Sequence, residues 1–162
     1  MAGVGAYPGS FNPLTVAHLA IVDVALRQHD LTRVDLVFSR RPLGKLDARD
    51  LADLDERIAA AERALFGRAD VAVVVTEAQL LADIAEGYDV LVLGADKWAQ
   101  LHDVTFYADE SARDAALARL PRLAIAPRPP HDAPDEHRLH LPDWVAEVSA
   151  TAVRGGRHDW RA

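Results

Sequence analysis

The 162-residue chain contains no cysteine, which excludes a disulfide framework, a thiolate nucleophile and a cysteine-based zinc site. It is also short of positive charge. Eighteen Lys and Arg face 25 Asp and Glu, a formal net charge of −7, the wrong sign for holding nucleic acid by bulk charge. Any polyanion it binds must sit in a local site. No apolar run approaches the ~18 residues that a membrane span requires, and the short apolar start lacks the basic flank and cleavage pattern of a secretory leader. These absences predict a soluble cytoplasmic protein with no membrane or nucleic-acid partner, and a homo-oligomer is compatible with the sequence.

Several phosphate and nucleophile motifs are missing too. Gly3, Gly5 and Gly9 do not have dinucleotide-binding spacing, "RRPLGKLD" lacks the upstream glycine and the following hydroxyl of a P-loop, and Ser10 has no G-x-S-x-G around it. No metal-ligand set is assigned: His137 and His140, three apart in a predicted strand, would point to opposite faces.

Half of the residues are hydrophobic, enough for one sizeable core, and a single domain over residues 1–162 is expected. Short apolar runs, Val4 to Tyr7, Val34 to Phe38, Asp70 to Val75, Asp89 to Gly94 and Arg122 to Ala126, alternate with helix-like segments. Those segments are Thr15 to Arg27, "LADLDERIAAAERALF", "EAQLLADIAEG", a short helix from Ala95, and "SARDAALARL". "PRPPHDAPDEH" reads as a surface loop, and the end as a last helix followed by a loose tail at about 156–162. The alternation predicts an α/β fold, a single Rossmann-like, doubly wound parallel sheet with helices on both faces. In such sheets ligands bind beyond the carboxyl ends of the strands, so the loops at Pro8 to Leu14, Ser39 to Asp50, Thr76 and Glu77, Gly94 to Lys97 and from Pro127 onward are expected to carry the chemistry.

The first of these loops, in "GAYPGSFNPLTVAHLAIV", combines Pro8, Gly9, Ser10 and Asn12 with a histidine just inside the next helix. The backbone N–H groups of a Gly9–Ser10 turn would point to the mouth of the sheet beside a helix N-terminus, an arrangement that holds phosphate. From spacing alone the loop is equally well a tight turn and His18 a surface helix residue.

"YPGSFNPLTVAHLAIV" resembles the signature of the nucleotidyltransferase superfamily, the pattern G-x-F-x-P-x-(H/T)-x-G-H of phosphopantetheine adenylyltransferases and of nicotinate or nicotinamide mononucleotide adenylyltransferases. Gly9, Phe11, Pro13, Thr15 and His18 match in register. The late motif of that family, (I/V)-S-S-T-x-(I/V)-R, is similar to "VSATAVR", matched by Ser149, Thr151 and Arg154. "LGADKWAQL" resembles the G-(A/S)-D segment of the mononucleotide enzymes, and "RPLGK" with "DERIAAA" resembles their P-x-x-K loop and following helix. Tyr7-Pro8 and Thr15 look more like the phosphopantetheine branch.

The resemblance implies transfer of AMP from ATP to a phosphorylated small-molecule acceptor with release of pyrophosphate. Catalysis of that kind rests on positioning and charge neutralisation. It gives the catalytic roles to His18 at the α-phosphate, Thr15 and Lys45. It gives ATP or phosphate binding to Gly9, Ser10, Phe11, His18, Ser149, Thr151 and Arg154, and acceptor binding to Ser10, Asp96 and Trp98. Mg²⁺ is the implied cofactor, carried on the ATP phosphates. Two of these residues have plainer readings: Asp96 as a helix cap, and Trp98, with His102 one turn on, as the edge of the core. The chain departs from the family pattern at Ala17, where a glycine is usual, at Ala150, where a second serine is usual, and at Asn12, often acidic. The expected acceptor is nicotinate or nicotinamide mononucleotide, with phosphopantetheine, or nucleotide binding without catalysis, as alternatives.

Overall fold

A computed structural model describes residues 3–40 and 53–162. Five strands, β1 (Gly3–Pro8), β2 (Leu31–Ser39), β3 (Val71–Thr76), β4 (Val90–Gly94) and β5 (Arg122–Ala126), form one sheet in the order β3-β2-β1-β4-β5. Every pairing is parallel, as the apolar runs buried on both sides require. The fold is Rossmann-like α/β.

Side chains alternate between the two faces of the sheet. Tyr7, Val34, Leu36, Phe38, Val90, Val92 and Ala124 face one layer, built from α1 (Val16–Gln28) and α2 (Leu54–Ala64). Leu91, Leu93, Leu123 and Ile125 face the other, with α3 (Leu81–Ile84), α4 (Ala95–Leu101) and α5 (Glu110–Ala118). The one buried carboxylate among the described residues, Asp35 on β2, is satisfied by Arg33 Nε at 2.7 Å and by the Tyr88 hydroxyl at 2.8 Å, as a buried charge must be. Burial, then the bond to Asp35, pushes Tyr88 up to about 12.

Strand order reverses between β1 and β4. These two pair at Gly5–Val90 and Ala6–Leu91, while the loops that follow them depart to opposite faces. That switch point opens the crevice at the carboxyl edge.

Three expectations change. The helix expected over "EAQLLADIAEG" shrinks to Leu81–Ile84. Ala78 N–H donates to Thr76 Oγ1 at 3.1 Å and Ala78 O accepts from Ser39 Oγ at 2.7 Å, so local side-chain bonds take the groups that an earlier helix start would need. No strand forms around His137 to His140: Asp135–His137 is a 3-10 turn, and the segment joins the sheet through a single bridge from Arg138 to Ile125. The tail is not loose. Ala162 N–H donates to Leu14 O at 3.1 Å, Arg161 bridges Thr15, and Trp160 packs on the α1–α2 layer.

Candidate active site at the β1–α1 loop

Thr15 caps α1, and the cap builds the site. Its Oγ1 accepts from His18 N–H at 3.3 Å while its own N–H donates to His18 Nδ1 at 2.9 Å, a capping box in which an imidazole replaces the usual Glu or Gln. Because Nδ1 accepts a backbone proton, the ring's proton resides on Nε2. Among the described residues Nε2 has no hydrogen-bond partner, and His18 lines the crevice. Burial, then the positive charge of Arg128, pushes His18 down to about 4. At neutral pH it is an uncharged ring with an N–H to give.

Aromatic packing fixes that ring. Phe11 meets His18 at 5.1 Å and Tyr7 at 5.3 Å edge-on, and Phe38 at 5.1 Å with a tilted ring. Phe11 achieves this with φ of +46°, a left-handed backbone that costs a bulky residue of order 1 kcal/mol or more. Gly9 is the matching concession: a Cβ there would lie 2.9 Å from Phe11 Cζ. Gly9 N–H, expected at the phosphate, instead donates to Val37 O at 3.2 Å and extends the β1–β2 ladder. The expected pair of turn N–H donors therefore loses one member.

The late motif comes to the same loop. α6 (Ala150–Arg154) is capped by Ser149, whose Oγ accepts from Ala152 N–H at 3.0 Å. Arg154 Nη1 donates to Asn12 O, and Nη2 to Thr151 Oγ1 at 3.2 Å, so two motifs more than a hundred residues apart are joined side chain to backbone. Ser149 and Ala150 line the crevice with Ala17, so both alanine departures fall on its lining. Thr151 and Arg154 lie outside that lining.

The crevice has two lobes that share Pro8, Gly9 and Lys97. One, over α1 and α6, is lined by Tyr7, Phe11, His18, Asp96, Arg128 and Ser149 among others. The other, over α3 and α4, is lined by Ser10, Ser39, Arg57, Gln79, Gln100 and Tyr107 with an apolar floor including Leu80 and Leu93. Asp96 does not cap α4 by its side chain; it folds back so closely over Gly94 that a Cβ there would meet its Oδ1 at 2.6 Å. Burial first, and then the charge of Asp96, holds the Tyr7 hydroxyl far above its usual range, with Arg128 opposing.

Trp98 is not brought to either lobe. It packs against the second apolar layer and meets the His102 ring at 4.3 Å and His137 at 5.9 Å, the core-edge reading of that residue. Lys45 lies outside the described residues. Arg57, Lys97 and Arg128 were not singled out from the sequence. Arg57, almost fully buried, donates from Nη1 to Ser10 O at 2.8 Å and lies 6.0 Å from the Phe38 ring centroid. Its place in "DERIAAA" and the place of Arg128 just after an apolar strand were the available signals, but an arginine beside acidic residues, or in a proline-rich loop, looks solvated in sequence.

A Rossmann-like sheet with a helix-capped histidine and two joined lobes at its switch point defines a nucleotide-handling α/β protein. Residues 6–155 match the family model described as cytidylyltransferase-like. The chain belongs to that family, which supports a nucleotidyltransferase activity. Comparison with curated proteins finds no match.

Proposed function

We propose that the protein is an adenylyltransferase that transfers AMP from ATP to nicotinate or nicotinamide mononucleotide and releases pyrophosphate. The observation that supports it best is His18: an imidazole held by Thr15 N–H through Nδ1, uncharged at neutral pH, with its Nε2–H unengaged among the described residues. An N–H donor so fixed suits the α-phosphate oxygens, on which charge builds as the acceptor phosphate attacks and pyrophosphate leaves; preorganised donors act there without reorganisation.

In this reading the lobe over α1 and α6 takes the nucleotide and the lobe over α3 and α4 takes the acceptor, whose phosphate meets the α-phosphate above the shared Pro8–Gly9 floor. Thr15 orients His18, Phe11 sets its plane, and Ser10, Asp96 and Lys97 lie where the two substrates join. Ser149 completes the nucleotide side, Thr151 and Arg154 hold α6 to the loop behind it, and Lys45, outside the described residues, supplies positive charge for the leaving group. Mg²⁺ would fit as a passenger on the phosphates: Asp96 is the one carboxylate lining the nucleotide lobe among the described residues, and the ion, when bound, would supply charge neutralisation.

The test is pyrophosphate release with Mg²⁺ and either ATP or CTP against a panel of phosphorylated acceptors including nicotinate mononucleotide, nicotinamide mononucleotide and phosphopantetheine. Turnover is expected with ATP and a mononucleotide, and its loss in His18→Ala by about 100-fold or more. Turnover with phosphopantetheine alone would move the acceptor to the other branch. Triphosphate binding without turnover on any acceptor would instead point to a nucleotide-binding protein, a reading that Ala17 and Ala150 on the nucleotide wall favour.

A further inference from the structure

We propose that Arg128 is the guanidinium that binds the phosphate chain of the nucleotide, the part that sequence resemblance gives to Arg154. The proposal rests on the reading of this lobe as a nucleotide site. Arg154 has both terminal nitrogens engaged, on Asn12 O and on Thr151 Oγ1, and sits outside the crevice lining. It ties α6 to the loop. Arg128 lines the lobe together with Thr15, His18 and Ser149, and its side chain makes no hydrogen bond or ion pair among the described residues.

Among the described residues Arg27, Arg63, Arg122 and Arg161 also make no side-chain hydrogen bond or ion pair, but of these five only Arg128 lines the lobe. Arg68, Arg113, Arg119, Arg138 and Arg157 each lie on a carboxylate at 2.6–3.1 Å. Arg128 is nonetheless held in place: its N–H donates to His131 O at 3.0 Å and its O accepts from His131 N–H at 2.7 Å, a tight turn around Pro129 and Pro130 that leaves only the side chain to move. Its charge reaches both His18 and Tyr7 across the lobe. A planar fork beside a neutral N–H donor can grip a phosphate with two parallel hydrogen bonds, and its charge adds to burial in favouring the uncharged form of His18.

The experiment measures binding of ATP, CTP, tripolyphosphate and the bare nucleosides to the full chain and to Arg128→Ala, Arg128→Lys and Arg154→Ala by calorimetry in Mg²⁺ buffer, with thermal melting alongside. Arg128→Ala should weaken the triphosphates and tripolyphosphate by about 10- to 100-fold while nucleoside binding and the melting temperature stay put. Arg128→Lys keeps the charge but not the fork, so it should recover part of the loss; it also answers the question if the alanine variant does not fold. Arg154→Ala should lower the melting temperature more than Arg128→Ala does. Unchanged triphosphate affinity in Arg128→Ala, or an equal loss for nucleosides and triphosphates, overturns the assignment and leaves the nucleotide site standing. A wild-type chain that binds no triphosphate overturns the nucleotide reading and the assignment with it.

Discussion

His18 should refuse a proton until the solution is far more acidic than a free imidazole requires. Burial and the neighbouring Arg128 lower it from 6.5 to about 4, which at about 1.4 kcal/mol per tenfold makes the imidazolium of order 3 kcal/mol less favourable here than in water. The unfolded chain takes up this proton as pH falls through 6.5; the folded chain does not until about 4. Between those values the unfolded state binds more protons, so stability rises with pH, and falling pH costs up to about 3 kcal/mol in all. His29 is lowered as well, by burial and then Arg122, and adds to the slope in the same direction. The assay is therefore a comparison. Denaturant unfolding of the wild type and of His18→Gln from pH 7 to pH 4 should give a shallower loss of stability in the variant. Nitrogen-15 NMR of the ring should show an Nε2–H tautomer that begins to titrate only below pH 5. If His18 titrates near 6.5, or carries its proton on Nδ1, the capping geometry and everything built on it are wrong. The same logic reaches kinetics: a neutral donor leaves turnover flat from pH 6 to pH 8, whereas a working imidazolium would lose rate as pH rises through its pKa.

Gly9→Ala should cost about 1–3 kcal/mol in chemical denaturation, because the new Cβ lands 2.9 Å from Phe11 Cζ and that ring, wedged among Tyr7, His18 and Phe38, has nowhere to go. Gly94→Ala should leave the melting temperature nearly unchanged, since the Cβ meets Asp96 Oδ1, the far end of an exposed side chain; the effect should appear as altered ligand affinity in titration. Tyr88→Phe removes a 2.8 Å donor from the buried Asp35 carboxylate and should destabilise by about 1.5–3 kcal/mol at neutral pH. Deleting residues 157–162 takes away the Ala162–Leu14 hydrogen bond, the Arg161–Thr15 bridge and the packed Trp160 ring, so proteolysis near Leu14 should quicken and the melting temperature fall.

The strands were legible because parallel strands buried on both faces are continuous apolar runs, as Val34 to Phe38 and Asp89 to Gly94 are. Thr15 and His18 were legible as a motif but not as a mechanism: nothing in the letters says that the imidazole closes the capping box and thereby fixes its own tautomer. Helix length at Glu77 failed because Thr76 and Ser39 compete for the backbone of Ala78, a contest between residues 39 apart. The tail failed for a similar reason. Its composition, with "RGGRHDWRA" polar but for one tryptophan, hides a ring that packs on α1 and α2 and lies 3.7 Å from the Arg157 guanidinium. Arg128 and Arg57 were hidden by their neighbours in sequence, whereas in space one faces the crevice and the other is almost wholly enclosed.

What Arg57 and Arg154 do to the β1–α1 loop explains how a strained residue can persist at its centre. Phe11 at φ +46° is flanked by two carbonyls that each accept from a guanidinium: Ser10 O from Arg57 on α2 and Asn12 O from Arg154 on α6. Charge-assisted bonds of this kind contribute about 1.5–3 kcal/mol each, more than the order 1 kcal/mol that the left-handed backbone costs. Relaxing Phe11 would turn both peptide planes and break both bonds, and would also pull its ring from Tyr7, Phe38 and His18. Strain at one residue is thus locked from both sides by elements far apart in the chain. It follows that the position of His18 depends on α2 and α6 as much as on its own helix. Arg57→Ala and Arg154→Ala should each shift the His18 ring resonances and let its pKa drift toward 6.5, even though neither side chain touches the ring; unchanged ring resonances in both variants would show that the aromatic packing alone holds the loop.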